Sequence, residues 1–163
     1  CALPISLHVT LMRPKSRGSV TLASRNPTDK PLIDPAFFKE KEDLQTMMQA
    51  TQIGLRIMAS KGLDSYRSEM LYPLNAQDPA QIESFLRDHS DTEYHPVGTC
   101  KMGPAQDPMA VVNPELRVHG LQGLRVIDAS IMPTLMSGNT NAPTIMIAEK
   151  GAAAVLEDQR AGR

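Results

Sequence analysis

A single long stretch of helical periodicity, residues 41–60, sets the framework for the rest of the chain. One face of the expected helix carries residues spaced three and four apart: Leu44, Met47, Met48, Thr51, Leu55 and Met58. Gly62 follows where such a helix would end. The stretch before it has a different pattern, so the chain has to combine a helix with extended segments.

The extended segments precede this helix. Residues 5–11 alternate apolar and polar side chains, and the alternation resumes at Val20 after a turn at 16–18. This pattern predicts a strand, a tight turn and a second strand. Residues 26–35 contain three prolines, and we expect a loop that ends in a helix cap at Asp34.

The second half of the chain predicts two more helices and a strand pair. Asp78 precedes a proline and is expected to cap a short helix. Residues 113–130 predict two short strands about a glycine-bounded turn, and the apolar segment Leu124 to Ile127 should be buried. A polar loop then leads into an alanine-rich helix with Pro143 in its first turn.

Together these elements predict an α+β fold, mainly an antiparallel sheet with flanking helices. We place a domain boundary near Asp91, which separates residues 1–91 from residues 92–163. The first residue is Cys1 and not Met, so we expect a fragment or a processed piece of a longer protein.

Composition excludes several classes of protein. The net charge is −1 over 163 residues and no dense Lys/Arg stripe is present, so we expect no nucleic-acid partner. The sequence has no apolar run of the roughly 20 residues that cross a bilayer. Its two cysteines, Cys1 and Cys100, argue against a disulfide framework and favour a reducing compartment.

The segment EYHPVGTCKMG, residues 93–103, holds His95 in an irregular stretch with proline and glycine. A zinc site needs three or four ligands at matching spacings, and no second half-site accompanies His95 and Cys100. A nucleophilic Cys100 needs a lowered pKa and a base, and the neighbouring Lys101 alone is weak evidence for either. A histidine that accepts a proton near neutral pH fits better. The alternative is a histidine that only hydrogen-bonds to loop backbone.

Two later segments could bind a ligand. In SGNTNAP, residues 137–143, the amides of Asn139 and Asn141 precede a helix whose N-terminal N–H groups favour an anion. In LRVIDAS, Asp128 and Ala129 follow an apolar strand, where a ligand could approach the backbone. The alternatives are simple helix capping and a simple strand end.

These segments resemble the C-terminal region of the glucose–methanol–choline (GMC) flavoprotein oxidoreductases. The resemblance lies in YHPVGTCKMG, LRVHGLQGLRVIDASIMPT and SGNTNAPTIMIAEKGA, in that order, and in LMRPKSRGSVTLASRNPTDKPLIDP, which is similar to the family's substrate-domain sheet. It covers nearly the whole chain and is nearest to the choline dehydrogenase and FAD-linked alcohol dehydrogenase branch. It implies that residues 1–91 belong to the substrate-binding domain. Residues 92–163 would carry the active-site loop and elements that return to the FAD-binding domain.

The resemblance also implies roles for individual residues. His95 would assist removal of the substrate hydroxyl proton as hydride leaves the carbinol carbon for flavin N5. Asn139 falls at the family's second active-site position, where an amide cannot act as a base and would orient the substrate oxygen. No metal ligand is implied.

The cofactor implied is FAD. Asn141, Pro143 and Thr144 would begin the helix whose N-terminus faces the flavin pyrimidine edge, while Asp128 and Ala129 are similar to residues near the ribityl and pyrophosphate groups. The family's FAD site begins with a GxGxxG fingerprint, and this sequence has none. We therefore expect the chain alone to be inactive and to bind FAD weakly or not at all.

The implied activity of the intact protein is oxidation of a primary alcohol, choline or another, to an aldehyde. The alternatives are a GMC-type alcohol oxidase that uses oxygen and a non-catalytic binding module of the same fold. The implied partners are an alcohol substrate, the missing N-terminal FAD-binding portion, and a quinone or respiratory electron acceptor. The separated chain should self-associate. We expect a cytoplasmic protein, or one peripheral at the inner membrane.

Overall fold

The computed structural model describes residues 5–162 and divides into two compact units, Cys1–Asp91 and Thr92–Arg163. Each unit has its own cluster of buried apolar side chains. Cys1, which entered the metal and disulfide arguments, lies outside the described residues. The arrangement of helices with an antiparallel strand pair confirms the predicted α+β class.

The regular sheet of the described residues is one antiparallel pair, β1 (Ser19–Thr21) and β2 (Leu32–Asp34). At Gly18, just before β1, an added Cβ would lie 2.0 Å from the carbonyl oxygen of Asp34, so the two chain segments approach too closely for a side chain. The predicted strand at residues 5–11 is wrong. The partner of β1 comes instead from the proline-containing segment that was expected to be a loop.

Asp34 ends β2 and does not cap a helix, which corrects the second expectation for this region. Its carboxylate accepts a hydrogen bond from the backbone N–H of Ala36 at 2.8 Å. Pro35 follows directly, and a residue before proline is disfavoured in the helical region. The long helix α1 (Lys41–Met58) therefore begins only after this turn.

Helix α1 confirms the predicted helical stretch, although the helix ends two residues earlier than residue 60. It packs against α2 (Pro79–His89). The core of the first unit consists of four buried side chains from these two helices: Leu44, Met47, Ile82 and Leu86. Val9 and Leu11 pack half-buried against this cluster, whereas Ile5 and Leu7, which share the alternation, are exposed.

The cap predicted for α2 is confirmed. The Asp78 carboxylate accepts hydrogen bonds from the backbone N–H groups of Ala80 at 3.0 Å and Gln81 at 3.1 Å. These two N–H groups have no partner inside the helix. Pro79, at the first helical position, has no N–H to satisfy.

The second unit is built around α3 (Asn141–Arg160) and a short 3₁₀ turn, Ala129–Ile131. Its core combines residues from the loops, the turn and the helix: Val112, Leu116, Ile131, Met132 and Ile147. The two strands predicted within 113–130 form only isolated bridges. Leu124, predicted to be buried, is 49% exposed, whereas Val126 and Ile127 of the same segment pack against the core.

None of the helices within residues 5–162 combines the length and apolar character that a bilayer crossing requires.

Candidate active site

His95 lies in an irregular loop at the start of the second unit. Tyr94 before it has a left-handed φ of 62°, and Gly98 after it has a φ of 91°. Left-handed backbone is unusual for a tyrosine and easy for a glycine. The loop therefore takes the non-helical course that was predicted from Pro96 and Gly98, and it leaves the His95 ring half-buried.

The His95 ring contacts the beginning of α3. Its Nδ1 lies 3.0 Å from the hydroxyl oxygen of Thr140 and 3.5 Å from the backbone nitrogen of the same residue. Thr140 is buried, whereas its neighbour Asn139 is exposed. The structure thus brings the loop of His95 together with the segment that carries Asn139.

The loop after His95 also runs beside the 3₁₀ turn that follows Asp128. The backbone N–H of Cys100 donates to the carbonyl of Ser130 at 3.0 Å, and that of Met102 donates to Ile131 at 2.7 Å. The Asp128 carboxylate caps the turn by accepting the N–H of Ser130 at 2.7 Å. Asp128 itself is exposed and Ala129 is half-buried.

The remaining predicted residues form the first turn of α3. Asn141 is exposed, and Pro143 and Thr144 are half-buried. The Thr144 hydroxyl donates to the carbonyl oxygen of Thr140 at 2.6 Å. No side chain caps the helix, so the alternative that Asn139 or Asn141 serves as a cap is wrong.

The structure also shows the surroundings of Lys101 and of the possible metal ligands. Lys101 Nζ lies 2.7 Å from the Asp107 carboxylate, and this hydrogen bond holds the pKa of Asp107 below its usual value. Lys101 is therefore engaged by an acid and does not act on the Cys100 thiol. Among residues 5–162, no three His, Cys, Asp or Glu side chains are grouped so that they could hold a metal ion.

Three segments that are distant in sequence thus meet in the second unit: the His95 loop, the turn after Asp128, and the first turn of α3. Sequence reasoning missed Thr140, the residue that joins the first and the third. Its signal was its place directly before a predicted helix, where threonine is a favoured cap. Its contact with His95, 45 residues away in sequence, had no local signal.

Comparisons with known proteins identify relatives along most of this chain. Residues 14–148 match the family described as "GMC oxidoreductase". The Oxygen-dependent choline dehydrogenase 1 of Chromohalobacter salexigens is 49% identical over 144 residues, which are 88% of this chain and 26% of that protein. The Alcohol dehydrogenase [acceptor] of Pseudomonas putida is 45% identical and is matched over 93% of this chain and 27% of its own length.

Solved structures share the fold. Pyridoxine 4-oxidase from Mesorbium loti has a TM-score of 0.80 and 36% identity over 87% of this chain and 28% of that one. A fungal aryl-alcohol oxidase has a TM-score of 0.80 and 27% identity, and the match covers 92% of this chain and 25% of that one. The chain thus spans about a quarter of the length of the proteins it matches. The family match and the sequence relatives confirm the resemblance drawn from the motifs, and the chain belongs to the GMC oxidoreductase family.

Proposed function

We propose that this chain is part of an FAD-dependent alcohol dehydrogenase that oxidises a primary alcohol, choline or another, to an aldehyde. The observation that carries the proposal is the contact of His95 with Thr140 at the start of α3. It unites two of the motifs that resemble the family's active site. The names of the dehydrogenase relatives support the substrate class.

The residues of this chain fit one edge of an FAD. The first turn of α3 has no acidic residue, and its Pro143 has no N–H. The N–H groups of Asn141 and Ala142 lack intrahelical partners, and such a helix end favours negative charge. Ala129, beside the capped Asp128, is small enough to let a ligand approach. When bound, FAD supplies the hydride acceptor.

Within this proposal, the chain's own residues handle the substrate hydroxyl. His95 accepts the hydroxyl proton, as a base that is effective near neutral pH. The exposed Asn139 amide, whose N–H₂ group is a donor, orients the substrate oxygen. An amide cannot accept the proton, so His95 is the sole base of the pair.

The test is His95→Ala in the full-length protein. We expect flavin reduction by alcohol to slow by about 10²- to 10⁴-fold, the usual contribution of a general base, with FAD still bound. His89→Ala is the control, because His89 is an exposed histidine of α2. Unchanged turnover in His95→Ala would show that His95 is not the base, whereas a wild-type flavin that no alcohol reduces would favour the non-catalytic binding module of the same fold.

The electron acceptor has two candidates. The name of the relative Alcohol dehydrogenase [acceptor] favours a quinone or respiratory carrier, and with such a carrier the proposed location is the cytoplasm or the inner membrane surface. The name of the oxygen-dependent choline dehydrogenase relative and the oxidases among the similar structures favour oxygen. Wild-type turnover with and without an added acceptor distinguishes them, because an oxidase forms one hydrogen peroxide per aldehyde without added acceptor, whereas a dehydrogenase needs the carrier.

A further inference from the structure

We propose that Thr140 is a positioning residue that selects the reactive tautomer of His95. It accepts the Nδ1–H of His95 and thereby leaves Nε2 with the lone pair that receives the substrate hydroxyl proton. This rests on the proposed function, in which His95 is the base. It adds a residue that none of the motif roles assigned.

Two groups of Thr140 lie near Nδ1, and the tautomer of His95 determines which of them can bond to it. The backbone N–H of Thr140 would donate to an unprotonated Nδ1, but its nitrogen is 3.5 Å away, at the outer limit of a hydrogen bond. The hydroxyl oxygen is closer, at 3.0 Å, and can accept Nδ1–H. The hydroxyl can equally donate to an unprotonated Nδ1, so it is the proposed role of His95 as the base at Nε2 that puts the proton on Nδ1, with the Thr140 hydroxyl as its acceptor.

Thr140 is itself held in place. It is 8% exposed, and its carbonyl oxygen accepts both the N–H of Thr144 at 3.0 Å and the Thr144 hydroxyl at 2.6 Å. These contacts hold the Thr140 hydroxyl in a fixed position beside Nδ1 of His95.

The side chain of Thr140 also forgoes its ordinary role. Thr140 precedes α3 at the N-cap position, where a threonine hydroxyl usually accepts a backbone N–H of the first turn. Here it makes no such bond. The hydroxyl contacts the histidine instead, which is the arrangement expected of a residue that serves the site and not the helix.

The proposed step balances. The substrate O–H bond breaks and its proton goes to Nε2 of His95. The hydride leaves the carbinol carbon with its electron pair for the flavin, so the alcohol is oxidised by two electrons and the flavin is reduced. The bond from Nδ1–H to Thr140 is present before and after the step, so the imidazolium forms without rearrangement.

The experiment compares Thr140→Val and Thr140→Ser in the full-length flavoenzyme by single-turnover flavin reduction. Valine keeps the shape and removes the hydroxyl, whereas serine keeps the hydroxyl. We expect Thr140→Val to slow reduction by about 10- to 100-fold with an unchanged substrate dissociation constant, and Thr140→Ser to stay within about 3-fold of wild type. Thr51→Val, at a threonine of α1 that is also 8% exposed, is the control and should leave the rate unchanged.

The outcomes separate the two proposals. If wild-type flavin is reduced by alcohol and His95→Ala is impaired, but Thr140→Val reacts like wild type, the positioning role is wrong and the proposed function stands. Equal losses in the valine and serine variants would also overturn it, since only packing would then matter. If Thr140→Val loses its flavin, Thr140→Ala removes the hydroxyl in its place and is judged by the same criteria. A wild-type flavin that no alcohol reduces would overturn the proposed function itself.

Discussion

Asp43, in the first turn of α1, is a buried carboxylate. Among the described contacts, no cationic side chain lies at hydrogen-bond distance from it. Its oxygens accept the backbone N–H of Lys15 at 2.9 and 3.1 Å and that of Ser16 at 2.7 Å. Burial raises the pKa of Asp43, but these hydrogen bonds outweigh it and bring the pKa below the usual value. The carboxylate thus ties the segment before β1 to the start of α1.

We expect Asp43→Asn to lower the free energy of unfolding by about 1 to 3 kcal/mol near neutral pH, because an amide presents one acceptor fewer to these N–H groups. A depressed pKa gives stability that is present above the unfolded-state pKa, roughly 3.9, and is lost as the pH falls through the folded-state pKa. The difference between variant and wild type should therefore shrink in acid. Urea denaturation at neutral and acid pH measures it.

Glu42→Gln is the matched control for this prediction. Glu42 is the preceding residue, and its ion pair with Lys15 Nζ at 2.6 Å is exposed. Exposed pairs contribute little, so the control should unfold close to wild type. Equal losses in both variants would mean that helix-end charge, and not the buried hydrogen bonds, carries the effect.

At the scale of the element, Gly151 sets how closely α3 packs in its unit. A Cβ added there would lie 2.3 Å from Cγ2 of Ile127 and 2.9 Å from its Cδ1. Glycine to alanine inside a helix normally gains about 1 kcal/mol. Here we expect Gly151→Ala to lose about 1 to 3 kcal/mol by overpacking, because the β-branched Ile127 has few rotamers to retreat into.

Thermal unfolding measures this loss, with Gly62→Ala as the control. Nothing lies within 4 Å of a Cβ at Gly62, so that variant should match or exceed wild-type stability. A Gly151→Ala protein as stable as wild type would show that the contact with Ile127 relaxes without cost.

The elements differ in how far the sequence predicts them. Helices α1 and α2 follow from local signals, the apolar spacing of α1 and the Asp78–Pro79 start of α2, and both are confirmed. The pairing of β1 with β2 is a contact between separate segments, so the alternation in residues 5–11 indicated a different partner. The candidate site behaves likewise: the motifs predict its residues, but only the tertiary structure joins His95 to Thr140.

At the scale of the whole molecule, the chain leaves much apolar surface uncovered. Ile145, Met146 and Leu156 of α3 are each about half exposed, at 54%, 51% and 51%. Leu71, between α1 and α2, is 81% exposed. Soluble proteins rarely keep large contiguous apolar patches open. This chain spans 26% of the length of the choline dehydrogenase relative, and self-association of the chain when it is alone stays a prediction.

The dependence of the chain on the rest of the protein can be tested through the cofactor. This sequence has residues that fit one edge of an FAD but no GxGxxG turn to bind its pyrophosphate. We expect the purified 163-residue chain to be colourless and to show no saturable quenching of FAD fluorescence at concentrations that saturate the full-length protein. His95→Ala in the full-length protein is the matched comparison, since it should lose turnover and keep its flavin. A yellow chain loaded stoichiometrically with FAD would mean that α3 and the turn after Asp128 bind FAD by themselves. The expectation that FAD binding needs the N-terminal portion would then be wrong.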